Sequence, residues 1–104
     1  MEKGNYDFKE IDKLEAFCGL IPRLYCKRVD LFDGEQIFVN KDGTFYFDAI
    51  LHRYSYGHEQ NLLEIMGDIV ENSEDSVEGF LNADEIILRI VNDLCEVKEN
   101  ERPE

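Results

Sequence analysis

Carboxylate side chains recur at helical spacing in the second half of this chain. Glu64, Asp68 and Glu71 lie at positions i, i+4 and i+7, so on a helix they would share one face. Three more carboxylates continue the negative charge into the following residues: Glu74, Asp75 and Glu78. Such a surface attracts basic proteins and repels nucleic acid and anionic membranes. We therefore predict that these six residues bind a basic protein surface, and that the chain contacts neither nucleic acid nor membrane directly.

The spacing of this predicted acidic stripe bears on what it could imitate. One helical stripe presents a charge about every 5–6 Å, because steps of three or four residues each rise about 1.5 Å per residue. A DNA strand presents a phosphate about every 3.4 Å. The stripe together with Glu74, Asp75 and Glu78 approaches that density. The predicted partner is therefore a nucleic-acid-binding protein, which the chain would inhibit by occupying its basic groove. The alternative is a small adaptor or structural subunit with an apolar contact, in which the acids serve only solubility.

Aromatic residues cluster around the middle of the chain. Tyr54 and Tyr56 are separated by one serine and precede Gly57. They fit either an exposed patch that binds a partner or a core beneath the next helix, and the sequence leaves both open. Phe45 and Phe47 alternate with polar residues, and we expect both in the core.

Residues that could carry catalysis or bind a metal do not form a complete pattern. Asp42 and Gly43 match part of a calcium loop, but a simple turn explains them. His58 and Glu59 begin a zinc-protease signature that needs a second histidine where Leu62 stands. The sequence therefore predicts no metal and no cofactor.

The cysteines raise one further chemical hypothesis. Cys18, Cys26 and Cys95 are odd in number and widely spaced, which is typical of reduced core residues in a cytosolic protein. Cys26 precedes Lys27 and Arg28, and nearby cations can lower the pKa of a thiol. A small enzyme that uses Cys26 or a carboxylate is thus a third hypothesis, but no catalytic residue is predicted.

The first half of the chain predicts one helix and a set of strands. Apolar spacing favours a helix over 8–19 and a strand over 24–32. Two β-rich segments, 36–40 and 44–52, flank Lys41-Asp42-Gly43, and Asp-Gly between such segments is a strong sign of a hairpin.

The second half predicts two helices. The first covers 57–70, with Leu62, Met66 and Ile69 on its apolar side. An acidic loop over 72–78 and a short extended segment over 77–81 follow. Asn82 then fits a helix N-cap with Glu85 as its capping-box partner, and this last helix is predicted to run to about residue 97, followed by a frayed tail over 98–104.

These elements predict a single α+β domain over 1–104. The small antiparallel sheet, with its hairpin around Asp42-Gly43, should pack against one N-terminal and two C-terminal helices. A chain of 104 residues with 43% hydrophobic residues can build one modest core. The net charge is −13, and the last 44 residues hold 13 acidic and 3 basic residues. No apolar signal segment begins the chain, so a cytoplasmic location is predicted.

Two segments carry a resemblance to a group of known proteins. The stretch from Tyr54 to Glu64 and the stretch from Val77 to Glu85 are similar to small acidic proteins of phages and mobile elements of Gram-positive bacteria. The resemblance covers about a third of the chain and includes no motif of known chemistry. It implies a bacterial cytosol as the setting. It also implies, by analogy, a role such as that of anti-CRISPR or anti-restriction inhibitors that imitate DNA.

Overall fold

The computed structural model describes residues 3–71 and 76–100. Its helices and strands follow in the order α1 (Lys9–Cys18), β1 (Leu24–Leu31), β2 (Gly34–Lys41), β3 (Thr44–Leu51), β4 (Leu63–Gly67), β5 (Val77–Leu81) and α2 (Ala83–Asn100). The five strands form one antiparallel sheet in chain order. The predicted α+β class is confirmed, but the described residues form one N-terminal and one C-terminal helix.

Local sequence signals locate the hairpin between β2 and β3 correctly. Asp42 and Gly43 form its two-residue turn, and both have a positive φ, 52° and 85°. This combination defines a type I′ turn, whose twist matches that of the flanking strands. Arg23 pairs with Asp42 at 2.6 Å and ties the turn to the start of β1.

The predicted capping box at the start of α2 is also confirmed. The Glu85 backbone N–H donates to Asn82 Oδ1 at 2.8 Å, and the Asn82 N–H donates to Glu85 Oε1 at 2.9 Å. The Ala83 N–H donates to Glu10 Oε1 of α1 at 2.7 Å. Three backbone donors at the helix start therefore have partners, one of them supplied by the neighbouring helix. The predicted tail is partly helical, since α2 runs to Asn100, and its remainder lies outside the described residues.

The helix predicted over 57–70 is wrong. A short 3-10 turn, His58–Gln60, is followed by β4, in which Leu63 and Ile65 are buried and Met66 is exposed. The segment contains both a helical and an alternating pattern of apolar residues, and pairing with β3 selects the alternating one.

The predicted burial of Phe45 is also wrong, although Phe47 is buried as expected. The β2–β3 register shifts between Val39 and Asn40, which leaves Tyr46 as an extra residue in β3. A bulge of this kind reverses the alternation of the side chains that precede it. Tyr46 and Phe47 therefore both enter the core, whereas Phe45 lies on the opposite face and is exposed.

Both helices cover one face of the sheet, where the core lies. Ile11 and Leu14 of α1, Ile86 and Ile90 of α2 and the inward residues of the sheet are all buried. Tyr46 joins the sheet to α2, because its hydroxyl donates to Asp93 Oδ2 at 2.7 Å. Neither helix in the described part of the chain has the length and apolarity required to cross a membrane.

Candidate functional site

The structure separates the carboxylates that were predicted to form one stripe. Glu64 lies near the start of β4, and its Oε1 accepts a hydrogen bond from the Tyr56 N–H at 2.8 Å. Asp68 and Glu71 lie beyond the other end of the strand. Four residues of extended chain span about 13 Å, so Glu64 and Asp68 face different ends of the sheet. Glu74 and Asp75 lie outside the described residues.

Arg89 of α2 binds two of the predicted carboxylates. It donates to both oxygens of Glu78 at 2.7 and 2.6 Å, and its Nε lies 3.4 Å from Glu71. It also donates to the Ile69 carbonyl at 3.3 Å, and its side chain is only 13% exposed. The hydrogen bonds from Arg89 lower the pKa of Glu78. Glu71 and Glu78 are thus both paired with Arg89, Glu78 in a position that is only 24% exposed and Glu71 with a side chain that stays 69% exposed.

A groove of about 170 Å³, which we name the acidic groove, lies beside this ion pair, between the end of β4 and α2. Asp68, Glu71, Asp93 and Asn92 line it together with Arg89. Asp93 is held by Tyr46 and by Lys41 at 3.2 Å. Within residues 3–71 and 76–100, no group of three or more His, Cys, Asp or Glu side chains could hold a metal ion.

The opposite end of the sheet carries four exposed aromatic side chains, which we name the aromatic end: Phe32, Tyr54, Tyr56 and Phe80. Their exposed fractions lie between 49% and 64%. The Phe32 and Tyr54 rings are 5.1 Å apart, and the Phe80 N–H donates to the Tyr56 carbonyl at 3.3 Å. The question that the sequence left open for Tyr54 and Tyr56 is therefore answered, since both lie on the surface.

Two residues of the aromatic end have left-handed backbone conformations. Phe32 has φ 54° and Phe80 has φ 61°. This region costs a residue with a Cβ about 1–2 kcal/mol, and bulky side chains rarely adopt it. Both rings nevertheless remain about half exposed to solvent. Strain retained at exposed aromatic residues points to a role outside the fold itself.

Hydrogen bonds within the loop after β3 orient Tyr54 outward. The His52 N–H donates to Ser55 Oγ at 3.0 Å, and the Ser55 hydroxyl donates to the His52 carbonyl at 2.8 Å. The Tyr54 N–H donates to His52 Nδ1 at 3.0 Å. Burial lowers the pKa of His52, in the direction that favours the neutral imidazole. Ser55 and His52 are thus committed to the turn that presents Tyr54.

Basic and acidic groups border the aromatic end. The Arg53 guanidinium lies 5.2 Å from the Tyr54 ring centroid, within range of a cation–π interaction. Asp33 accepts hydrogen bonds from the Arg53 N–H and the Tyr6 hydroxyl, both at 3.0 Å. The aromatic end is therefore bordered by the guanidinium of Arg53 and by the carboxylate of Asp33.

Cys26 is not activated as hypothesised. Its side chain lies on the helix-covered face of the sheet, where burial raises its pKa and Glu15 adds to the effect. Lys27 points to the opposite face, and Arg28 binds Asp12 and Glu15 at 2.7 and 2.9 Å. The adjacent cations therefore do not stabilise a thiolate.

Sequence reasoning missed Phe32 and Phe80 as members of this site. Phe32 precedes Asp33 and Gly34, and an Asp-Gly pair is typical of a turn. This pair was the one feature of the sequence that could have placed Phe32 at the surface. Phe80 lies in β5 at the register shift between β4 and β5 and carries no such signal. Its exposure follows from a backbone conformation that a phenylalanine seldom adopts.

Replacing Phe80 by glycine should raise the free energy of unfolding by about 0.5–1 kcal/mol, because glycine adopts positive φ without strain. Chemical denaturation followed by circular dichroism measures the change. Phe80→Ala is the control, because it removes the ring but keeps the strained Cβ, and it should not stabilise. A destabilised glycine variant would show that the ring supports the fold.

The pH dependence of stability should follow the carboxyls that have cationic or hydrogen-bonding partners. Arg89 lowers the pKa of Glu78; burial acts against a low pKa for Asp93, but the hydrogen bond from Tyr46 helps to keep it below its usual value. Such groups stabilise the fold above their unfolded pKa, and this contribution is lost as the pH falls through the folded pKa. Burial raises the pKa of Asp48, which acts in the opposite direction.

We therefore expect the thermal midpoint to fall as the pH decreases from about 5 to about 3, in a series of melts at fixed ionic strength. Glu78→Gln should make this decline shallower. A midpoint that stays constant or rises over this range would contradict the prediction.

Comparisons of this chain with protein families, with curated proteins and with solved structures find no match.

Proposed function

We propose that this chain is a non-catalytic binding protein that holds a basic partner protein against its aromatic end. The observation that carries this proposal is the exposure of four aromatic side chains at one end of the sheet, two of them at strained φ. Exposed tyrosine and other aromatic anchors contribute much of the binding energy in protein interfaces. Their rigid rings lose little conformational entropy on binding.

The charge of the chain supports a basic partner. The net charge is −13, and the Arg53 guanidinium already lies over the Tyr54 ring. An arginine or lysine of the partner would contact another ring of the aromatic end in the same way. Glu59 and Glu64, which follow Tyr56 closely in the sequence, would add negative charge near that contact. In this proposal the acidic second half speeds the encounter through its long-range field, and the aromatic end forms the contact.

A nucleic-acid-binding protein remains the proposed class of partner. Its basic groove would attract this chain, and occupation of the groove would block nucleic acid, as in a phage-type inhibitor. Support comes from the charge and from the resemblance to small acidic phage proteins, which also favours a bacterial cytosol.

A photo-crosslinking amino acid at position 54 or 80 tests this contact. The crosslinked partner is identified from bacterial host lysate, purified, and titrated against the intact chain by calorimetry. Tyr56→Ala should weaken binding about tenfold or more, whereas Leu88→Ala, which removes an equally exposed apolar side chain from α2, should not. Affinity should fall as salt rises.

The results separate the proposal from its alternatives. If Tyr56→Ala leaves binding unchanged but Asp68→Lys abolishes it, the partner binds at the acidic groove. This result would contradict the proposed contact at the aromatic end. Binding that needs the aromatic residues but is independent of salt would favour the adaptor with an apolar contact. A partner without a basic surface would overturn the electrostatic part of the proposal.

A further inference from the structure

A second surface, independent of the proposed function, lies on the face of the sheet that the helices leave uncovered. On β1, Cys26 and Arg28 point toward α1, so Tyr25 and Lys27 point away from it. We name the outward side of β1, β2 and β3 the open face. Tyr25 is 69% exposed there, and the two phenylalanines of the open face, Phe38 and Phe45, are 38% and 45% exposed.

The strand register arranges the open face in rows that cross β1, β2 and β3. The central row contains Lys27, Phe38 and Asp48. The adjacent row contains Tyr25, Asn40 and Phe45. Within β1, β2 and β3, each row therefore has a residue of β2 at its centre, with a cation and an anion on either side in one row and two aromatic rings in the other. The row of Asp48 continues onto Met66 of β4.

We propose that a second copy of this chain docks on the open face around a two-fold axis that runs along β2. Such an axis reverses the strand order of the partner sheet. Lys27 of each copy then faces Asp48 of the other, and Tyr25 of each copy faces Phe45 of the other. Phe38 meets its own equivalent at the axis. The contact is isologous, because the same residues serve on both sides.

The charge distribution favours a second copy on this face. Lys27 and Asp48 balance each other, although the chain as a whole carries −13. Asp48 is only 7% exposed, and its Oδ2 accepts a hydrogen bond from Gln36 at 2.7 Å. Burial disfavours its charged form and raises its pKa. A lysine from the second copy would supply a counter-charge to this carboxylate.

The dimensions of the open face predict a weak dimer. Three strands of eight residues, spaced about 4.8 Å apart, form a surface of about 14 by 26 Å. Two aligned sheets pack about 10 Å apart, a distance that Lys27 and Asp48 can bridge together. The area lies below the roughly 800 Å² per partner of a standard interface, so we expect a rapidly exchanging dimer.

Sedimentation equilibrium of the full chain from micromolar to millimolar concentration tests the proposal. The wild-type chain should dimerise. Lys27→Asp should weaken dimerisation about tenfold or more, because the new carboxylate of each copy then faces Asp48 of the other copy and both contacts become repulsive. Asp48→Lys should have the same effect through two lysines. Leu88→Asp, which adds a charge on exposed α2 away from the open face, is the matched control and should leave the dimer intact.

Mixing the two charge variants gives the sharpest result. Each Lys27→Asp chain can pair with an Asp48→Lys chain, and both ion pairs are then restored. The mixture should form a heterodimer at concentrations at which each variant alone is largely monomeric. Circular dichroism of each variant verifies that it is folded, and should Asp48→Lys fail to fold, Phe38→Asp replaces it as a disruptive variant.

Three outcomes would overturn the proposal. A wild-type chain that stays monomeric at millimolar concentration excludes the dimer. A dimer that resists both Lys27→Asp and Phe38→Asp lies on another surface. A folded pair of charge variants that does not associate when mixed excludes the two-fold arrangement. None of these results affects the partner proposed for the aromatic end, which is measured with different variants.

Discussion

Gly34→Ala should lower the free energy of unfolding by about 3 kcal/mol or more. A Cβ at this position would lie 1.8 Å from the Leu51 carbonyl oxygen and 2.9 Å from the His52 Cα. Both neighbours are backbone atoms of β3 and the residue after it, so neither can rotate away. The turn between β1 and β2 would have to separate from the end of β3, which would displace Phe32 from the His52 and Tyr54 rings.

Thermal denaturation measures this effect, and the midpoint should fall by about 12 °C or more in a domain of this size. Gly19→Ala is the control, because Gly19 has a helical φ of −67° and its nearest neighbour would be 3.4 Å away. The control should change stability by less than about 1 kcal/mol. Equal effects of the two substitutions would show that the close approach at Gly34 does not govern the fold.

Arg89→Met should destabilise the protein by about 2–3 kcal/mol, the second large effect that we expect. Methionine retains the apolar stem of the side chain but removes the hydrogen bonds that Arg89 donates to Glu78 and to the Ile69 carbonyl, and its ion pair with Glu71. Glu78 would then keep its charge in a position that is only 24% exposed.

Lys13→Met provides the matched control for this prediction. Lys13 pairs with Asp84 at 2.6 Å, but both side chains are more than half exposed, so the loss should be within about 1 kcal/mol. Urea denaturation of both variants, together with a double-mutant cycle through Glu78→Gln, measures the coupling. A cycle without coupling between Arg89 and Glu78 would contradict our account of the acidic groove.

The ion pairs of Arg89 also explain why Glu71 and Glu78 do not form a stripe of unbalanced negative charge. The sequence contains no lysine or arginine between Arg53 and Arg89, and this gap suggests unbalanced charge. Arg89 nevertheless meets Glu71 and Glu78, because α2 returns across the sheet beside β5. Only the path of the chain in space brings these groups together.

Local chemistry in the sequence determined the elements that depend on a few neighbouring residues. The Asp42-Gly43 turn requires positive φ at two adjacent positions, and the Asn82–Glu85 box joins groups three residues apart. The energies that form these features act within one turn of chain, so they can be predicted without knowing the rest of the fold.

The tertiary structure decided the features that bear on binding. Pairing with β3 made residues 63–67 a strand, and the bulge at Tyr46 placed Phe45 on the open face. The left-handed backbone at Phe32 and Phe80 exposed two rings that hydrophobicity alone would bury. Each result depends on partners distant in sequence, because a period of two or 3.6 residues shows which side chains share a face but not what covers that face.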